Sequence, residues 1–429
     1  HPDLAVLRKD FLTDPEEIEV SHRAGADAVL LITAIMDRDR LARMLQEADR
    51  LGIAALVEVH TREEVERVAP LQPRLLGINS RNLETFQVDR AVPFQVAAAV
   101  DWEPTLVYES GIAYPEDVRL ARESGFRAVL VGETAVAHPE RLPALAAAAG
   151  EPATRRRGAQ APVTARGRRP GLPAPTRFWT RLYAGSARPL VKVCGITNRA
   201  DAECAVEAGA DVLGFILAPS PRQVDSALLE SLRDLPVLKV GVVVAGKDKP
   251  GVPPELRALL AEGVLDAVQL HGAEEPEECA KLAFPYYKAL RVKDAAAVER
   301  IRQYRSPRVL IDAFDEEADG GTGKRINADL VDAAARLQPL WLAGGLSPAN
   351  VAEIVDRRRP ELVDASSGLE ASPGTKDHGA VREFVAAARG AGSQGTPRDA
   401  AARVTGAQGA LVREAAAPES AARQASTRE

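Results

Sequence analysis

Only three cysteines, Cys194, Cys204 and Cys279, occur in 429 residues. That is too few and too odd a number for a disulfide framework, so a reducing, cytoplasmic setting is expected. No apolar run approaches the ~18 residues of a membrane span and no secretory signal opens the chain, so no membrane partner is expected. An excess of positive charge is missing too. Lys and Arg number 55 against 61 Asp and Glu, a net charge of -6, which argues against nucleic acid as a partner. An initial methionine is also lacking; the chain opens on His1, as expected of a fragment of a longer gene product. What is present is ordinary for a protein with real cores: 46% apolar and 27% charged residues. At roughly 150 residues per domain, the length suggests two or three domains.

Composition shifts twice. Residues 151–189 carry nine arginines against one glutamate among Pro, Gly and Ala, and read as a flexible linker, a solvated basic tether rather than an RNA site. A linker this long carries no expectation of tight packing between the parts it joins. Residues 390–429 have scarcely a large apolar side chain and read as a disordered tail. Between these lie two segments, 1–150 and 190–389, that alternate short apolar runs with amphipathic stretches, the pattern of βα units on a parallel sheet. The second segment has eight such runs, the arithmetic of a small closed (β/α)8 barrel. The first has six: Ala5–Leu7, Ala28–Ile32, Ala54–Val59, Leu75–Ile78, Leu106–Tyr108 and Ala128–Val131. The fold expected is α/β, two tandem TIM-type barrels of which the first is incomplete. An internal echo, AGADAVLLI at Ala24–Ile32 and AGADVLGFI at Ala208–Ile216, is also what one common helix-to-strand turn would leave, with Gly25 and Gly209 ending the helices.

In barrel enzymes the chemistry sits where strands end. In the second segment VKVCGIT places Cys194 at such a mouth, where a thiolate could take a proton from carbon, although a lone Cys is more often a small buried hydrophobe. LIDAF places Asp312 at another strand end, across the ring; a carboxylate there is costly unless it works or is paired. LAGGLSPAN and VDASSGLE end the last two strands, and their Gly344, Gly345, Ser366, Ser367 and Gly368 could cradle a phosphate with backbone N–H groups. In the first segment Lys9, Glu58, Asn79, Arg81, Glu109 and Ser110 stand at strand ends. A lysine and a glutamate facing one cavity suit an acid and base, or a structural ion pair. Gly111 and Gly132 repeat the phosphate-cradle placement.

KVCGIT, GADVLGFI, SPR at Ser220–Arg222, VQLHG at Val268–Gly272, GGTGK at Gly320–Lys324, LAGGL and DASSGLE follow one another in an order that resembles the phosphoribosylanthranilate isomerase family of tryptophan biosynthesis, over the whole second segment. The resemblance implies an Amadori rearrangement with Cys194 as general base and Asp312 as general acid. It gives Arg222 to the anthranilate carboxylate and places Gln269 and His271 along the pocket. His271 otherwise reads as a satisfied loop histidine. No cofactor is implied, because the iminium formed on ring opening is the electron sink. RKDF, GADAVLLI, ALVEVHTREE, GINSRNL, ESGI and LVGET likewise resemble indole-3-glycerol phosphate synthase from its third strand to its eighth. That resemblance implies Lys9 as general acid and Glu58 as partner acid/base in a decarboxylating ring closure. Asn79, Glu109 and Ser110 would line the substrate, Arg81 would meet its carboxylate, and Gly111, Gly132 and the Glu133 backbone would hold phosphate.

The synthase family's first two βα units have no counterpart, so isomerase activity with negligible synthase activity is expected of these 429 residues. The partners implied are small phosphorylated anthranilate–ribose substrates. Three alternatives remain. The first segment could be a non-catalytic scaffold beside an isomerase. Another phosphosugar isomerase would use paired aspartates at its first and fifth strands, against which VKVCGIT argues. A non-catalytic interaction protein would have no reason to keep Cys194, Asp312 and Arg222 at three strand ends.

Overall fold

The structure, a computed structural model, describes residues 4–150, 178–185, 189–244, 254–313 and 328–392. Every apolar run becomes a strand. β1 (Leu7–Arg8), β2 (Ala28–Ile32), β3 (Ala54–Val59), β4 (Leu75–Asn79), β5 (Thr105–Glu109) and β6 (Ala128–Leu130) form one parallel sheet in that order, open among the described residues. β7 (Leu190–Cys194), β8 (Val212–Ile216), β9 (Leu238–Val243), β10 (Ala267–Leu270), β11 (Tyr286–Arg291), β12 (Val309–Asp312), β13 (Trp341–Ala343) and β14 (Leu362–Ala365) form a closed barrel, with β14 registered on β7 as Leu362 on Leu190. All adjacent pairs are parallel, so every strand delivers its C-terminal residue to the same rim.

Local signals set the helix ends. The helix Arg199–Ala208 starts where the Asn198 side chain accepts from the Asp201 N–H and stops at Gly209, whose φ of 98° only glycine adopts cheaply. Gly25, with φ 88°, follows the helix Pro15–Arg23 in the same way, so the echo in sequence is a shared turn.

Part of the expected linker is structure. Phe178–Leu182 is a short helix between the two halves, with Phe178, Trp179, Leu182 and Tyr183 all buried. Arg, Pro and Gly around it conceal four large apolar side chains at helical spacing. Trp179 stacks on Phe94 of the first half at 6.3 Å and meets Trp341 of the barrel at 5.8 Å. The same apolar cluster takes in Leu190, Leu238, Leu310 and Leu362, residues at the N-terminal ends of barrel strands. At its edge the buried Arg308 bridges the halves, donating to Asp89 at 2.7 and 3.0 Å and to Glu361 at 2.7 Å. Glu361 also accepts from Gln95, Tyr183 and Trp341. The halves are therefore closely packed, contrary to the expectation from linker length. Residues 151–177 and 186–188 of the linker, the GGTGK segment and the tail beyond Gly392 lie outside the described residues. The last helix, His378–Gly392, runs past the boundary expected at 389. No helix among the described residues is long and apolar enough to cross a membrane.

Candidate active sites

The barrel mouth holds a cavity of about 450 Å³ lined by Cys194, Asp312, Arg222, Gln269 and His271 together with Gly344, Gly345, Ser366, Ser367 and Gly368. Cys194 closes β7 and Asp312 closes β12, three strand positions away around the ring. A methyl group placed on Gly214 of β8 would lie 2.6 Å from Cys194 Sγ, so bare backbone there makes room for the thiol. Burial pushes that thiol above the ordinary range, while the ammonium of Lys192 acts to lower it. Lys192 is wholly buried and donates to Asp364 Oδ2 at 2.5 Å.

Asp312 is oriented by a relay. The Tyr287 hydroxyl donates to Gln269 Oε1 at 3.0 Å, which turns the amide Nε2 toward His271 Nδ1 at 3.2 Å. An amide nitrogen only donates, so Nδ1 accepts and Nε2 carries the ring proton toward Asp312 Oδ2, 3.1 Å away. His271, read from sequence as a loop histidine, is thus the neighbour of the expected acid.

Arg222 is held by Glu370 through its Nε and Nη2 at 2.7 and 2.8 Å, and Lys376 joins the same carboxylate at 3.1 Å. This fixes the guanidinium plane at the cavity wall. Gly195, with φ 75°, lies beneath it; a side chain there would come 2.9 Å from both Arg222 Cδ and Ser366 Oγ. On the cradle side, Gly344 and Gly345 have φ of 97° and 64°, and a Cβ on Gly368 would lie 2.1 Å from the Leu346 carbonyl oxygen. The two glycine turns are thus packed directly against one another at the cavity wall.

In the six-stranded sheet, Lys9 follows β1 and reaches Glu58 Oε2 of β3 at 3.4 Å and Glu109 Oε2 of β5 at 3.8 Å. Gly77 on the intervening β4 leaves the space; a Cβ there would sit 1.8 Å from Glu109 Oε1. His60 places Nε2 3.2 Å from Glu58 and Nδ1 3.2 Å from Glu64. Burial lowers the basicity of His60, but these two carboxylates outweigh it and raise its pKa to about 9. Burial raises Glu58, yet the neighbouring His60 and Glu109 and the charge of Lys9 carry it down to about 2. Burial and the charge on Glu58 raise Glu109 to about 8. Of the two carboxyls, Glu109 is therefore the one that holds its proton and Glu58 the one that is charged.

Residues 191–387 match the family model described as N-(5'-phosphoribosyl)anthranilate (PRA) isomerase, and residues 2–146 the one described as Indole-3-glycerol phosphate synthase. An N-(5'-phosphoribosyl)anthranilate isomerase of Geobacter sulfurreducens is 44% identical over 204 residues, covering 47% of this chain and 98% of that protein. The chain belongs to the phosphoribosylanthranilate isomerase family. The match to the indole-3-glycerol phosphate synthase model falls on the first domain. A multifunctional tryptophan biosynthesis protein of Schizosaccharomyces pombe is 32% identical over 418 residues, 90% of this chain; the chain spans 50% of that relative's length. A crystal structure of phosphoribosyl anthranilate isomerase from Thermotoga maritima is 40% identical, covers 47% of this chain and 98% of its own, and has a TM-score of 0.42.

Within the isomerase domain every site residue expected from sequence meets the one cavity. Lys192, Asp364, Glu370 and Lys376 were not anticipated: strand alternation after Lys192 signals its inward direction, but its partner comes from β14, 172 residues away. In the synthase domain Lys9, Glu58 and Glu109 converge, whereas Arg81 is paired with Glu133 at 2.6 Å. Asn79 accepts from the Arg81 N–H at 3.0 Å, and Ser110 and Gly111 both have positive φ, 64° and 73°. Gly132 precedes the short helix Glu133–Ala137. His60 was the residue missed there; EVH at the end of a strand was its signal.

Proposed function

We propose that the barrel isomerises N-(5-phosphoribosyl)anthranilate to 1-(2-carboxyphenylamino)-1-deoxyribulose 5-phosphate, as an intramolecular oxidoreductase. What carries the reading is the meeting of Cys194, Asp312 and the double glycine turn in one cavity. Asp312 delivers a proton to the furanose ring oxygen as the C1–O bond breaks, leaving an iminium between C1 and the anthranilate nitrogen. Cys194, as thiolate, takes the proton from C2; its electron pair forms C1=C2 and neutralises the nitrogen. The resulting enolamine is protonated at C1 and its C2 hydroxyl becomes the ketone. Atoms and electrons balance within the substrate, so the step uses no redox partner. Gly344, Gly345, Ser366, Ser367 and Gly368 hold the phosphate, and Arg222 faces the anthranilate carboxylate. Gln269 and His271 keep Asp312 aimed.

For the synthase domain we propose that, as part of the full-length protein, it closes the ring of that product to indole-3-glycerol phosphate with loss of carbon dioxide and water, a carboxy-lyase step. Lys9 is the acid and Glu58 the partner acid/base. Glu109, the carboxyl that holds its proton, lines the substrate with Asn79 and Ser110, Arg81 meets its carboxylate, and Gly111, Gly132 and the Glu133 backbone take its phosphate.

The test of the isomerase reading is steady-state turnover. Cys194→Ala and Asp312→Asn should each lower kcat by roughly 100-fold or more. Turnover unchanged in Cys194→Ala would overturn the assignment.

A further inference from the structure

Lys192 is a fully buried charged group to which the isomerisation gives no part. It stands two residues before Cys194 on β7, so both side chains point to the same face of the strand, the barrel interior. A methyl group on Gly214 would lie 2.6 Å from Cys194 Sγ and 3.1 Å from Lys192 Cε, so thiol and lysine rest against one patch of bare backbone. Asp364, registered opposite Lys192 on β14, takes the ammonium through Oδ2, while its buried Oδ1 has no hydrogen-bond partner among the described residues. A buried lysine is costly, and one carboxylate oxygen is a thin set of acceptors for three N–H donors.

We propose that Lys192, held by Asp364, is the positioning residue of the isomerase site, supplying the buried positive charge that the Cys194 thiolate needs. The proposal rests on the reading of Cys194 as base. The groups facing Cys194 from its surroundings agree with it. Arg222, from the loop after β8, and Lys376, from the short strand Thr375–Lys376, are both tied to Glu370. Tyr287 of β11 stays neutral, since burial raises its hydroxyl. Each of the three cations near the sulfur is thus tied to a carboxylate, Lys192 to Asp364 and Arg222 and Lys376 to Glu370, while Asp312 and His271 face it across the cavity. Of the three cations, Lys192 is the one that shares Cys194's own strand and face. Burial opposes the thiolate most strongly, and Lys192 is the largest influence favouring it.

The test is the acid limb of the pH profile of kcat/KM, read beside ultraviolet thiolate absorbance with the Cys194→Ala signal subtracted. Lys192→Met should move both alkaline by a unit or more, about tenfold less thiolate at a given pH, with little change in KM. Asp364→Asn should move both the other way, because it leaves the ammonium for the sulfur to pair with; Lys192→Arg should hold near the parent profile. Opposite shifts in the two variants are what a merely structural ion pair would not produce. If Cys194→Ala abolishes turnover while neither limb nor absorbance moves in a folded Lys192→Met or Asp364→Asn variant, the proposal falls alone. If Cys194→Ala turns over normally, the base assignment falls first.

Discussion

At the scale of the residue, both sites depend on charges that water would screen and the fold does not. Glu109 keeps its proton up to about 8, against 4.5 for an ordinary glutamate, so the folded chain binds the extra proton between those values. Stability from this group is present below pH 4.5 and lost as pH rises toward 8. His60 acts in the same direction, between 6.5 and about 9, whereas Glu58 adds stability as pH rises from about 2 to 4.5. The synthase domain should thus lose stability steadily from mildly acidic to alkaline pH. Glu109→Gln should flatten the slope of Tm against pH between 4.5 and 8; the same slope in the variant would show that Glu109 titrates normally. Cys194, Asp312, Lys9 and Glu58 were legible from sequence because each stands at or beside the end of an apolar run. Asp364 was not, because its role comes from a neighbour on another strand.

At the scale of the element, the apolar runs foretold all fourteen sheet and barrel strands, since buried parallel strands are nearly continuous in Val, Ile and Leu. The helix Phe178–Leu182 escaped because five residues are too few to be helical alone. It forms only because both domains offer apolar surface to its two faces. Trp179→Ala should cost about 3 kcal/mol in urea unfolding, at the low end for a buried tryptophan because its indole N–H lacks a partner among the described residues. Trp179→Phe, which keeps the ring and removes that N–H, should cost well under half as much.

At the scale of the whole molecule, the synthase domain covers the N-terminal end of the isomerase barrel, where Leu190, Leu238, Leu310 and Leu362 stand at or next to the start of their strands. Cys194, Asp312 and Ser366 stand at the other end, so close packing of the domains leaves that mouth uncovered. Arg308 joins the halves by pairing with Asp89 on one side and Glu361 on the other. Removing it leaves two carboxylates without their cation, at a cost of about 3 kcal/mol. The parent should unfold in one calorimetric transition and Arg308→Met in two. A single transition in the variant would mean that the apolar cluster alone couples the domains.

The sequence by itself determined the α/β class, the six strands of the open sheet and eight of the barrel, and which side chains stand at their ends. Those follow from local rules, because an apolar run and the residue that stops it are adjacent in the chain. Only the tertiary structure decided which of those side chains meet. Lys192 with Asp364, His271 with Asp312, Arg222 with Glu370, and Arg308 between Asp89 and Glu361 are pairs brought together by barrel closure and domain docking. Their energies depend on burial, which is a property of the assembled fold and not of any stretch of chain.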